Sequence, residues 1–176
     1  FYYITIMNEN YPMPPMPEGA KAGILKGMYL YKNGKSDALE LKANLLGSGT
    51  IMNETLKAAE ILEEKYGVST NVYSVTSYKE LQRDALDVER HNLLHPDKEK
   101  TPYVSTVIQN DGVIVAASDY VKTLPDSISK WLPKRLFTLG TDGFGRSEGR
   151  NELRDFFEVD AKHIVTATLY ALYKDG

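Results

Sequence analysis

No cysteine occurs among the 176 residues, which excludes disulfides, thiolate metal centres and a cysteine nucleophile from this segment. No apolar run approaches the roughly 20 residues that a membrane-spanning helix needs, and no signal peptide is visible. A soluble protein, expected in the cytoplasm, is what remains. Basic runs are missing as well. A formal charge of −3 and a pI of 5.7 give no electrostatic footprint for nucleic acid as a partner. What is present, 42% hydrophobic and 26% charged residues, is the composition of one globular domain of ordinary size with a real core.

Glycine and charge are distributed unevenly. Leu139 to Asp160, reading LGTDGFGRSEGRNELRDFFEVD, carries four glycines, six acidic side chains and three arginines. Leu136 to Leu139 reads as a short buried strand and Gly140 to Ser147 as a tight loop. Glu148 to Phe157 follows as a helix, with Leu153, Phe156 and Phe157 inward. The loop therefore sits at the carboxyl end of a strand, where open α/β sheets place their working surfaces. Gly140, Gly143 and Gly145 could bring backbone amides to an anion, with Arg146 and Arg150 nearby. The stretch is neither a phosphate-cradling P-loop nor a GxGxxG fingerprint. The alternative is that these glycines shape a demanding turn while Asp142, Arg146 and Arg150 brace the domain or an interface.

Along the chain, FYYITIM at residues 1–7 reads as a buried strand, aromatic and β-branched. Opening without an initiator methionine, it suggests a fragment whose first strand belongs to a preceding sheet. Residues 11–18 form a proline-rich linker containing Pro12, Pro14, Pro15 and Pro17, expected to be extended. The domain proper is expected over residues 19–176. Ala20 to Lys26 predicts a helical turn, and Met28 to Tyr31 and Leu41 to Leu46 predict strands. Thr50 to Tyr66 predicts an amphipathic helix burying Ile51, Met52, Ala58, Ala59 and Leu62, with Leu56 and Ile61 covered on a second side. Strands are then expected at Val72 to Val75, Val104 to Ile108 and Ile114 to Ala117. Helices are expected at Lys79 to Leu94, within Tyr120 to Trp131, and at Ala161 to Tyr173, the last capped by Asp160. Such alternation implies an α/β fold with a mostly parallel sheet between helical layers.

Three other constellations could carry chemistry. Gly47-Ser48-Gly49-Thr50 joins a strand to a helix and could hold a phosphate, but without a following lysine it reads as a turn with Ser48 or Thr50 capping the helix. His91 and His95 stand four apart on one helix, yet no acidic general base lies between them, so a solvated helix face is preferred to a metal site. His163 stands alone on the last helix. Finally, Asn8, Glu9, Asn10 and Tyr11 end the first strand, where they would either face an active-site margin or merely satisfy the strand-end backbone.

GTDGFGRSEGRNELRDFFEVD resembles the carboxyl-terminal domain of the homodimeric, bacterial-type decarboxylating component of the pyruvate dehydrogenase complex, a thiamine-diphosphate enzyme of the transketolase superfamily. FYYITIMNENYPMPPMPEG at 1–19, LLGSGTIMNETLKAAEILEEKYGV at 45–68 and VYSVTSYKELQRDALDVERHNLLHP at 72–96 fall in that family's order, so the resemblance spans nearly the whole chain.

The resemblance implies a three-layer α/β/α sandwich with a five-stranded, mostly parallel mixed sheet. It makes residues 1–10 the last strand of a preceding pyrimidine-binding domain. Thiamine diphosphate and Mg2+ are implied for the full-length enzyme, held upstream through a GDG motif that this chain lacks. No catalytic, cofactor-binding or metal-binding residue is carried over, and the segment alone is expected to be inactive. A second copy of the same subunit, the lipoyl acyltransferase component and pyruvate are the implied partners. Twelve tyrosines are compatible with a substantial interface. Alternatives are a module docking the acyltransferase core or a regulator through the Asp142–Glu148 loop, a domain of a related thiamine-diphosphate enzyme, or a free-standing phosphate- or nucleotide-binding domain.

Overall fold

A computed structural model describes residues 1, 4, 10–35, 40–108 and 110–175. Five strands are placed: β1 (Met28–Lys32), β2 (Lys42–Gly47), β3 (Ser69–Val75), β4 (Val113–Ala117) and β5 (Leu136–Leu139). The helices are α1 (Lys21–Lys26), α2 (Ile51–Lys65), α3 (Tyr78–Leu94), α4 (Tyr103–Val107), α5 (Thr123–Asp126), α6 (Arg150–Phe156) and α7 (Ala161–Asp175), with a 3₁₀ turn at Ser129–Trp131. Strand order is β1-β3-β2-β4-β5. Only β1 runs antiparallel to its neighbour; β2, β3, β4 and β5 pair in parallel. The expected five-stranded mixed sheet is the one found.

Strand periodicity explains the layers. Ala43, Leu45, Val113, Val115 and Ala117 point to one face, where Ile51, Ala58 and Leu62 of α2 and Ile164, Val165 and Ala171 of α7 close a core. Leu46, Tyr73, Ile114 and Ala116 point to the other, against Tyr78 and Leu81 of α3, Val104 of α4 and Ile128. Successive strand residues feed opposite cores because the side-chain period is two. Leu56 and Ile61 of α2 pack at the margin of the first core, giving that helix its second covered side.

Several expectations require correction. Val104–Ile108 is not a strand: α4 occupies it, with Val104 and Ile108 buried and Val107 beside them, an i, i+3, i+4 helical spacing. Its start is fixed by Asp84, whose Oδ2 accepts from the Tyr103 backbone N–H at 2.7 Å. β5 is a half-buried edge strand rather than a buried one. In α6, Phe156 is exposed while Leu153 and Phe157 are half-buried. Neither Ser48 nor Thr50 caps α2; the Ser48 hydroxyl instead meets Ser118 Oγ at 3.0 Å. Asp160 does cap α7, accepting from the His163 backbone N–H at 3.0 Å. The strand expected at residues 1–7 lies outside the described residues except for Phe1 and Ile4, which are exposed and in no regular element.

Tyr78 at the start of α3 is buried, and its hydroxyl has no hydrogen-bond partner. Burial, and secondarily the charge of Asp126, pushes the phenol above its ordinary value. A raised folded-state value means that the stabilising contribution is complete below the ordinary phenol pKa and is lost as pH rises through the folded value. Stability is therefore expected to fall above about pH 10. Tyr78→Phe should reduce that alkaline slope, leaving the smaller share of Tyr103, whose phenol burial also raises, and should leave neutral-pH stability unchanged or higher by about 1 kcal/mol, since an unsatisfied buried hydroxyl is lost. Urea melts between pH 7 and 11 read both effects; a slope as steep in the variant as in the parent would contradict the assignment.

Candidate functional site

The parallel strands all deliver their loops to one edge of the sheet, and three of these loops are tied together there. Ser118 N–H donates to Leu139 O at 3.1 Å and Thr141 N–H to Tyr120 O at 2.8 Å, joining the loop after β4 to the loop after β5. Asp142 strengthens the junction: its Oδ1 accepts from the Lys122 backbone N–H at 2.9 Å, and its Oδ2 lies 3.4 Å from Lys122 Nζ. The backbone bond and the lysine hold the Asp142 carboxyl below its usual range although the side chain is exposed. Gly140 is required for this closeness, because a Cβ there would stand 2.7 Å from Tyr120 O. Gly143 adopts a left-handed φ of 77°, a conformation that favours glycine. Gly145 has neither constraint, and a Cβ on it would meet open space.

Above this junction the arginines form a line along α6 and the preceding loop. The Arg146 guanidinium lies 4.8 Å from the Phe156 ring centre. Arg150 and Arg154, one helical turn apart, both face the Tyr11 ring, at 5.8 and 5.7 Å. Tyr11, expected at an active-site margin, thus meets Arg150, expected in the loop. Asn53 Nδ2 donates to Pro12 O at 3.4 Å, so the proline-rich segment is held across the start of α2. Asn10 is exposed, and Asn8 and Glu9 lie outside the described residues.

Glu54 is the polar centre that sequence reasoning missed. Buried on α2, it accepts from Arg154 Nη1 at 3.2 Å through Oε1 and from the Ala161 backbone N–H at 3.2 Å through Oε2; Lys57 Nζ adds a contact at 2.9 Å. One carboxylate thereby joins α2, α6 and the start of α7. A signal did exist: Glu54 sits four residues before Ala58 and eight before Leu62, on the apolar stripe of the helix. Between α2, the post-β4 loop and α6 lies a cleft of about 200 Å³ that reaches Arg146, Arg150 and Arg154.

The Gly47–Thr50 turn does not fit the diphosphate implied by the family. Gly49 has a left-handed φ of 55°, and a Cβ there would stand 3.6 Å from an Asp119 carboxylate oxygen, so so highly charged an anion would meet negative charge. The Ser48 hydroxyl is already engaged by Ser118. Elsewhere Asp155, Asp160 and His163 bring ligand atoms within 4.8 Å of one another, but Lys162 ion-pairs with both carboxylates and His163 Nδ1 contacts Asp160 Oδ1 at 2.8 Å. His91 and His95 stack at 4.6 Å; His91 Nε2 contacts Lys98 O and His95 Nδ1 contacts His91 O, each at 3.0 Å. His95 is exposed and His91 half-buried, and one nitrogen of each ring is committed to the backbone. Among the described residues no helix is long and apolar enough to cross a membrane.

Known proteins agree with this architecture. The pyruvate dehydrogenase E1 component of Pseudomonas aeruginosa is 49% identical over 179 residues, covering 100% of this chain and 20% of that protein. That of Escherichia coli K12 is 49% identical over 178 residues with the same coverage. The chain thus spans about a fifth of the length of these relatives. Transketolase from Pichia stipitis shares the fold with a TM-score of 0.62 at 17% identity, over 92% of this chain and 20% of that one. Transketolase from Leishmania mexicana does so with a TM-score of 0.59 at 18% identity, over 87% and 19%. Residues 27–160 match the transketolase-like TK C-terminal domain. The chain belongs to the transketolase-like C-terminal domain family.

Proposed function

We propose that this chain is the carboxyl-terminal domain of a cytoplasmic, thiamine-diphosphate-dependent pyruvate dehydrogenase that decarboxylates pyruvate and acetylates lipoyl groups. The observation that carries the reading is the similarity along the whole chain, 49% to pyruvate dehydrogenase E1 components against 17–18% to the transketolases that share its fold. The cofactor supplies the electron sink for decarboxylation, and the protein supplies position and electrostatics. This domain's share is architectural: Asp142 and Gly140 set the loops at the sheet edge, and Tyr11 lodges the incoming chain against Arg150 and Arg154. Domain boundaries follow, with residues 1–10 belonging to the preceding pyrimidine-binding domain, 11–18 linking and 19–176 folding as this unit. A second copy of the subunit and the lipoyl acyltransferase are its partners, and thiamine diphosphate and Mg2+ are held by domains outside this chain.

A second reading, docking of the acyltransferase core or a regulator by the loop after β5, is favoured by one observation: Phe144 at its tip is almost wholly exposed. The test is a pyruvate-dependent acetylation assay on the full-length enzyme with a lipoyl domain as acceptor. The proposed function predicts acetylation that depends on thiamine diphosphate and Mg2+. Its absence, with two-carbon transfer between sugar phosphates instead, would contradict it. Phe144→Ser should leave the rate unchanged if the domain is architectural and raise the KM for the lipoyl acceptor if the loop docks it.

A further inference from the structure

The cleft at the sheet edge has features that the architectural role does not use. Its inner wall is apolar, made by Ile51, Leu153, Phe157 and Val159, and Ile51 and Val159 are almost fully buried. Its volume of about 200 Å³ exceeds the ~150 Å³ that holds a benzene ring in an engineered apolar cavity. The charged groups on its walls are three guanidiniums, Arg146, Arg150 and Arg154, against one carboxylate, Asp119. Glu54 neutralises part of Arg154 through Nη1, but Arg154 Nη2 is buried without a hydrogen-bond partner. A buried cationic N–H left unpaired is costly and is the kind of group that a ligand oxygen satisfies. Arg146 forms no ion pair among the described residues; its recorded contact is the Phe156 ring. Thr50 and Thr141 add hydroxyl groups to the lining.

We infer that this cleft is a binding site for a small organic anion, an aromatic or branched apolar body carrying one carboxylate or phosphate, its body against Ile51, Leu153, Phe157 and Val159 and its charge on Arg146 and Arg154. Guanidinium is suited to either head group because it presents two parallel N–H donors. Asp119 limits the ligand's charge: a single carboxylate or phosphate group is balanced by the arginine wall, whereas a highly charged polyphosphate would meet the aspartate.

The experiment is calorimetric titration of phenyl phosphate and, separately, benzoate into the full-length enzyme already saturated with thiamine diphosphate and Mg2+. Inorganic phosphate serves as a probe without an apolar body. Saturable binding with a Kd on the order of 1 mM or tighter is expected for at least one aromatic probe, with inorganic phosphate weaker. Arg146→Met, on the exposed rim, should weaken that probe roughly tenfold, and Asp119→Asn should tighten it several-fold, as expected from removing a charge-assisted bond or a like charge. The ratio of phenyl phosphate to benzoate affinity then assigns the head group. No saturable binding up to ~10 mM, or binding that neither variant alters, would overturn the inference, the latter placing the probe elsewhere on the enzyme.

Discussion

Replacing Glu54 with alanine is expected to destabilise the 176-residue chain by about 3–5 kcal/mol, among the largest effects available at any single position. The reason is what the substitution leaves behind. Arg154, with a side chain 12% exposed, would keep its charge in a mostly buried place without its carboxylate. The Ala161 N–H at the start of α7 would lose its acceptor. Lys57 contributes little, since its side chain is 63% exposed and an exposed partner is screened by water. Glu54→Gln retains an acceptor for Ala161 but not the charge, so its cost should be intermediate. Replacing Glu54 and Arg154 together with leucine should recover much of the loss, because removing both buried charges is often neutral. Urea unfolding reads all three as shifts in midpoint at constant slope. A loss below about 1 kcal/mol for Glu54→Ala would show that the junction is held by apolar packing instead.

Gly27→Ala is expected to be nearly as damaging, at about 3 kcal/mol, for two separable reasons. Gly27 ends α1 with a left-handed φ of 102°, which costs an L residue about 1–2 kcal/mol. The added Cβ would stand 2.5 Å from Ser77 O and 3.0 Å from Leu81 Cγ, which overpacks the junction by another 1–3 kcal/mol or so. The backbone there cannot easily yield. Gly27 O accepts from Thr76 N–H at 2.9 Å and from Ser77 N–H at 3.1 Å, and the Ser77 side chain caps α3 by accepting from Glu80 N–H. Gly67 separates the two causes: its φ of 64° is also left-handed, but a Cβ there meets nothing within 4 Å. Gly67→Ala should therefore cost only about 1 kcal/mol. Equal losses at the two sites by urea unfolding would mean that the close approach to Ser77 is unimportant.

Much of the fold was legible because burial and period agree. Strand alternation around Leu45 and Leu46 reports two cores, and the stripe Ile51, Ala58, Ala59, Leu62 reports one face of α2. The segment Val104–Ile108 failed because it is short and rich in β-branched residues, which favour strands, while its i, i+3, i+4 spacing fits a helix equally well. Asp84, nineteen residues earlier, starts that helix, and no local rule includes so distant a partner. Candidate site residues divide in the same way. The Gly140–Arg150 loop was visible as a concentration of glycine and charge, and its glycines at 140 and 143 do shape it. Its meeting with Tyr11, Asp119 and Glu54 is made by three loops and two helices coming together, so only the folded chain displays it. Phe156 is expected inward together with Leu153 and Phe157; instead the two phenylalanines pack edge to face at 5.0 Å with the Phe156 ring exposed.

In the proposed function this domain supplies architecture while the cofactor is held elsewhere in the subunit. The most direct test of this division of roles is calorimetric titration of thiamine diphosphate with Mg2+ into residues 11–176 alone, beside the full-length enzyme active in the acetylation assay. It predicts saturable binding by the full-length enzyme and no measurable binding by residues 11–176. Tight, saturable binding of thiamine diphosphate by residues 11–176 would contradict it.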